Sequence, residues 1–208
     1  VNPIPDELFE QVKLFLPKYL TPEESHILFE ELRRFPEKQD FYLSAPPEPL
    51  LQGDGWRGFV LINFETQEKK SVSGLVLSNS CDIDLSNGRA LDTRILFTPL
   101  IKLSTYANLL ERAGKGAQQT GDTLSAIRTQ RITYIFYLPE LAGVMPESMV
   151  LLDDIHTHPL RDFIERDRSR LFTLSQTGFY MLLLKLSIHF SRFQEGVRRF
   201  PPDKPADA

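Results

Sequence analysis

The chain reads as an α+β fold: two opening helices, a run of mostly antiparallel strands closing into a small barrel, and one final helix. Three observations predict this. Apolar residues recur at helical spacing in the first 36 residues and again near the C-terminal end. Between these segments the period changes to two. The strand patterns follow one another with turn signals between them, which favours an antiparallel sheet of small-barrel type.

The first helix, about Asp6 to Leu16, places Leu8, Phe9, Val12, Phe15 and Leu16 on one face, and Pro17 ends it. The second opens on Thr21-Pro22-Glu23-Glu24, an N-cap followed by Pro at the first helical position and first-turn acids. Its stripe is Ile27, Leu28, Leu32 and Phe35, and Pro36 stops it. Together they predict an N-terminal helical hairpin over 1–36. Residues 37–52 hold Pro46, Pro47 and Pro49 among polar residues and read as a linker.

A barrel domain is expected over 53–200. Trp56 to Phe64 is its first strand, Thr66 to Lys70 a turn, and Ser73 to Ser78 the second strand. Asn87-Gly88 is a strong turn signal. Ile95 to Leu100 follows as a strand. Residues 111–130 carry Gly114, Gly116 and Gly121 among Gln, Thr and Lys, and read as a flexible inserted loop. Arg131 to Leu138 alternates, with Ile132, Tyr134, Phe136 and Leu138 on one face, and Met149 to Ile155 is the last clear strand. The closing helix is expected from about Gln176 to Val197, with Ser175 as N-cap. It carries one stripe of Phe179, Leu182, Leu183, Leu186, Phe190 and Phe193, and a second of Met181, Leu184 and Ile188. A helix apolar on two faces is buried on two sides. The N-terminal hairpin, or a second copy in a homodimer, would cover the second. Residues 201–208 read as a disordered tail.

Composition narrows the class. The 208 residues include 24 Lys+Arg and 28 Asp+Glu, a net charge of −4, which argues against a dedicated nucleic-acid binder. A hydrophobic content of 41% excludes a chain disordered throughout. A single Cys excludes an internal disulfide and any site built from several Cys. The 15 Phe, against 6 Tyr and 1 Trp, imply a large apolar space to fill. No signal-peptide pattern opens the chain. The longest apolar stretch, Phe179 to Phe190, is interrupted by Lys185 and is shorter than the roughly 20 residues that span a bilayer. The expectation is a cytoplasmic protein without a membrane partner.

A family resemblance rests on five stations in order. Gly53-Asp54 with Gly58-Phe59-Val60-Leu61, then Gly74-Leu75-Val76-Leu77-Ser78, then Phe97-Thr98-Pro99-Leu100 come first. Ser148-Met149-Val150-Leu151-Leu152-Asp153 and Leu171-Phe172-Thr173-Leu174-Ser175 follow. Over about residues 53–195 the chain resembles the MazF/PemK-type toxins of toxin–antitoxin pairs. The resemblance implies a barrel of Src-homology-3 type with a closing helix. It also implies a metal-independent endoribonuclease that often dimerises. The family's cleavage Arg and Thr are not matched. Ser73, or Val72 one step earlier, stands where the Arg would be, and Ile101 where the Thr would be. The resemblance therefore points to a barrel that binds RNA or a protein partner without the standard cleavage pair.

Other residues could carry chemistry. Ser78-Asn79-Ser80-Cys81-Asp82 sets the only Cys and a carboxylate at a strand end. Cys81 could be a nucleophile or a metal ligand, with Asp82 and His156 as catalytic neighbours. The alternative is a small buried Cys followed by a turn-starting Asp. In Asp154-Ile155-His156-Thr157-His158 an extended backbone projects both His to one side. With Asp154 and Cys81 they offer the ligand types that zinc prefers, and zinc is the one cofactor these residues suggest. The alternative is a pair of surface His before Pro159. Arg112, Lys115, Arg128 and Arg131 on the 111–130 excursion could grip phosphate, or simply be solvated. Trp56 could stack a base or serve the core. Arg161 to Arg170 alternates in charge and reads as an ion-paired surface segment. His26 and His189 read as packing or capping residues. Whether the protein is an enzyme stays open at this level. A metal-binding enzyme or sensor and a non-catalytic interaction module stand beside the RNA-binding barrel.

Overall fold

The structure is a computed structural model and describes residues 41–63 and 65–191. The expected N-terminal hairpin, the start of the linker, the end of the closing helix and the tail lie outside the described residues.

Strands β1 (Asp54–Ile62), β2 (Lys69–Val76) and β3 (Arg94–Pro99) form an antiparallel meander. Strand β4 (Ile101–Lys102) leads into helices α1 (Leu103–Arg112) and α2 (Ala117–Arg128). Strands β5 (Ile135–Leu138), β6 (Ser148–Leu151) and β7 (His156–Pro159) come next. Helix α3 (Leu160–Glu165), β8 (Ser169–Thr173) and helix α4 (Gln176–Ser191) complete the order.

The fold class is α+β with mostly antiparallel strands. The strands form two sheets: a five-stranded one in the order β7-β3-β2-β1-β8, and a three-stranded one in the order β4-β6-β5. No closed barrel forms among the described strands, because β7, β8, β4 and β5 each end a sheet. Only Leu100 separates β3 from β4, so one stretch of chain serves both sheets.

The excursion at 111–130 is corrected. It is not a flexible loop: α1 ends at Arg112, α2 fills 117–128, and only 113–116 connect them. The physical reason is a sparse but helically spaced apolar face. Leu103, Tyr106 and Leu110 from α1 and Leu124 and Ile127 from α2 need only one stripe each. Leu103, Ile127, Ile135, Tyr137 and Met149 form one core with Ile101, Tyr106 and Leu124 packed on it. The strand expected from Arg131 is also shorter. It starts at Ile135, and all four of its residues are buried, so strict alternation does not hold there.

A second core joins Leu75, Phe136, Leu138, Val150, Phe172 and the buried face of α4 at Met181, Leu182 and Leu184. The Ser175 hydroxyl accepts a hydrogen bond from the Gly178 N–H at 3.2 Å, as an N-cap does. The third core lies between the five-stranded sheet and α3. There Phe97, Phe59 and Phe163 stack as parallel rings, with centroid spacings of 4.0 and 4.4 Å. Gly74 makes this stack possible, since a Cβ there would stand 2.7 Å from Phe97 and 2.9 Å from Phe59. No helix among the described residues is long and apolar enough to cross a membrane.

Candidate functional site

Among the described residues, a dense polar arrangement lies where β1 pairs with β8. Trp56 stands opposite Arg170 and Arg57 opposite Ser169. Gly58 follows at a bulge, with φ +105°. A Cβ there would press to 2.9 Å from the Asp167 carbonyl oxygen, so the close approach of β1 to the segment before β8 needs glycine.

Asp54 anchors the cluster. Its side chain is fully buried and accepts from the Thr173 hydroxyl at 2.6 Å, the Leu51 N–H at 3.0 Å and the Trp56 indole N–H at 3.1 Å. Burial pushes its carboxyl up from the ordinary range, and these donors with the Arg170 charge pull it back. Arg170 Nε lies 3.3 Å from Asp54 Oδ2 but is not aligned for a hydrogen bond. The outer nitrogens of Arg170 donate to the backbone carbonyls of Pro47, Glu48 (3.1 Å) and Pro49 (2.6 Å). The Pro-rich segment is thus clasped onto the sheet.

Arg168 differs from Arg170. Its guanidinium carbon sits 4.9 Å from the Trp56 ring centroid and 5.2 Å from that of Phe163. Burial and the neighbouring Arg170 charge lower its pKa. Arg170 also lies over Trp56, at 4.7 Å. Two guanidiniums within 5 Å of its centroid occupy the Trp56 ring, which removes it as an open stacking platform.

The residues singled out from the sequence are dispersed. Cys81 is exposed in a turn after β2, its N–H donating to Asn79 Oδ1 at 2.9 Å, so neither the buried-Cys alternative nor a sheltered nucleophile describes it. Asp82 turns to Arg89 at 2.6 Å. His156 on β7 pairs with Asp154 at 2.8 Å and leans on Phe97. His158 is buried against Phe59 and Phe163, 3.3 Å from Asp162. Among the described residues no three His, Cys, Asp or Glu side chains gather as a metal site.

The basic residues of the excursion divide as well. Arg128 is held by Glu147 through two bonds of 2.7 and 2.8 Å, and Tyr137 donates to the same carboxylate. It is therefore not a free phosphate ligand. Arg112 and Lys115 are exposed around the α1–α2 turn. Arg131 is exposed and donates to the Thr129 hydroxyl at 3.0 Å. His189 stacks edge-on with Phe190.

Sequence reasoning found Trp56 but not Asp54, Phe163, Arg168 or Arg170 as its partners. The available signal was period two: Arg168 and Arg170 fall on one side of a strand, as Trp56 and Asp54 do on the next.

The positions of the family resemblance can also be placed. The Leu100 N–H donates to the Ser73 carbonyl at 2.9 Å, and Gly74 pairs with Pro99. Ser73 and Ile101, both half-buried, therefore flank one sheet crossing. No family model matches the chain, and no curated protein is significantly similar to it.

Proposed function

We propose that the chain is a binding module on a MazF/PemK-like fold that holds RNA without cutting it. One observation carries the reading. The Ser73 carbonyl accepts from the N–H of Leu100, one residue before Ile101, and Ser73 and Ile101 stand where the resemblance implies the cleavage Arg and Thr. Ser73 brings no cation and Ile101 no hydroxyl, so the pair that the resemblance implies for cleavage is missing. The neighbouring Arg57, Arg168 and Arg170 favour an anionic partner over an apolar one. A homodimer through the closing helix belongs to the same proposal.

The test is incubation of the full chain with a mixed-sequence RNA panel, read by gel for cutting and by mobility shift for binding. The expected result is a retarded, intact RNA, with retardation that weakens as salt rises. Metal-independent cutting would overturn the non-catalytic reading. Intact RNA without retardation would overturn the RNA reading and leave a protein as the partner class.

A zinc-dependent reading is the weaker one, since His156 and His158 pair with different carboxylates, Asp154 and Asp162, and no three His, Cys, Asp or Glu side chains gather among the described residues. Elemental analysis giving stoichiometric zinc would restore it.

A further inference from the structure

We infer that Arg168, mounted on Trp56 and Phe163 beside Arg57 and Arg170, is the contact point for a phosphate group. Two other arginines nearby, Arg166 and Arg170, have anionic or carbonyl partners. Arg166 pairs with Asp162 at 2.7 Å, and Arg170 is taken up by Asp54 and three backbone carbonyls. Arg168 has neither a hydrogen bond nor an ion pair among the described residues, and Asp167 beside it in sequence does not pair with it. It is nevertheless half-buried and held in place by two aromatic rings.

A guanidinium that is partly desolvated and faces a like charge is destabilised until an anion arrives. Its fork of donors matches a phosphate bidentately, and aromatic packing has already removed much of its freedom to move. Arg57, exposed and in register with Ser169, adds positive potential at the same strand pair. The buried Asp54 carboxylate faces Arg170, so it does not neutralise Arg168 directly.

The inference rests on the RNA reading only for the source of the phosphate. A free phosphate and a phosphodiester backbone share the recognised chemistry. Trp56 is the only Trp in the chain, so its emission reports on this site alone. Inorganic phosphate and a short oligouridylate are titrated into the full chain at constant ionic strength, with sodium chloride as the control.

A saturable change in Trp56 emission is expected with at least one of the two probes. Arg168→Gln is expected to weaken it about tenfold or more, the loss that a charge-assisted hydrogen bond represents. Arg168→Lys keeps the charge but loses the fork, and is expected to bind between the two. If Arg168→Gln does not fold, as judged by circular dichroism, the wild type and Arg168→Lys decide. Response to phosphate without RNA retardation would support this site and overturn the RNA reading. Response to oligouridylate alone would support the site with a diester source. No saturable response to either probe, or equal affinity in the foldable Arg168 variant, would overturn the inference.

Discussion

Gly74 supplies space rather than a flexible joint. Its backbone needs no left-handed conformation, but the Phe59–Phe97 stack passes where its Cβ would be. Gly74→Ala is expected to cost about 1–3 kcal/mol through overpacking, measured by urea denaturation. Lys185 is the other decisive single residue. It is 3% exposed, donates to the carbonyls of Gln130 (3.0 Å) and Ile132, and burial pushes its pKa down to about 8. Between that value and the ordinary 10.5 the unfolded chain binds the extra proton, so stability rises with pH across the window. Burial raises Tyr42 and Tyr137 above their ordinary 10.0, so the unfolded chain ionises first and stability falls again above about pH 10. A gain on the order of 2 kcal/mol is expected between pH 8 and that turnover, and Lys185→Met should flatten it. A flat profile in the wild type would show that Lys185 is solvated. At the remaining singular residue, Cys81, exposure predicts complete labelling by a thiol reagent without denaturant. Slow labelling that needs denaturant would contradict the exposed turn.

The α1–α2 pair shows how an element is held when its own sequence is weak. Gly121 lies in the interior of α2, and its N-cap Gly116 makes no side-chain cap bond. Tertiary contacts compensate: Ile127 is buried, and Arg128 ties the last turn to Glu147 just before β6. Both partners of this pair are more than a third exposed, so solvent screening limits its strength. Glu147→Ala also removes the acceptor of the Tyr137 hydroxyl. It is expected to cost about 1–2 kcal/mol and to speed amide exchange in α2 more than in β1–β3. Uniform faster exchange would mean that α2 does not open separately. Strand β8 makes the same point in reverse. Its charged approach, Arg161 to Arg170, reads from sequence as a solvated ion-paired segment. In the fold it becomes α3 and the approach and start of an edge strand, with Arg168 and Arg170 lying on aromatic rings.

At the scale of the molecule, two antiparallel sheets share one stretch of chain around Leu100, contribute jointly to one core, and each bury a further core of their own. The meander β1–β2–β3 and the closing helix were legible because each has a long, consistent apolar period. The short strands β4, β7 and β8 were not, because two to five residues carry too little pattern. The excess of Phe was legible as volume, but its place was not. Part of it lies in the Phe97–Phe59–Phe163 stack, where residues far apart in sequence meet only through strand pairing and α3. The same holds for the candidate site. Trp56 was visible as a lone aromatic at a strand start, whereas Arg168 lies more than a hundred residues away and reaches it only because β8 pairs with β1.

By itself, the sequence determined the α+β class, the antiparallel meander and the absence of an internal disulfide. These follow from local periodicity and residue identity, which need no knowledge of distant neighbours. Only the tertiary structure decided that the Gly-rich excursion is helical, that Arg128 is occupied by Glu147, and that Arg168 lacks a charge partner among the described residues. Such properties depend on which groups are brought together and how much water is removed around them. Neither is encoded within any single stretch of chain.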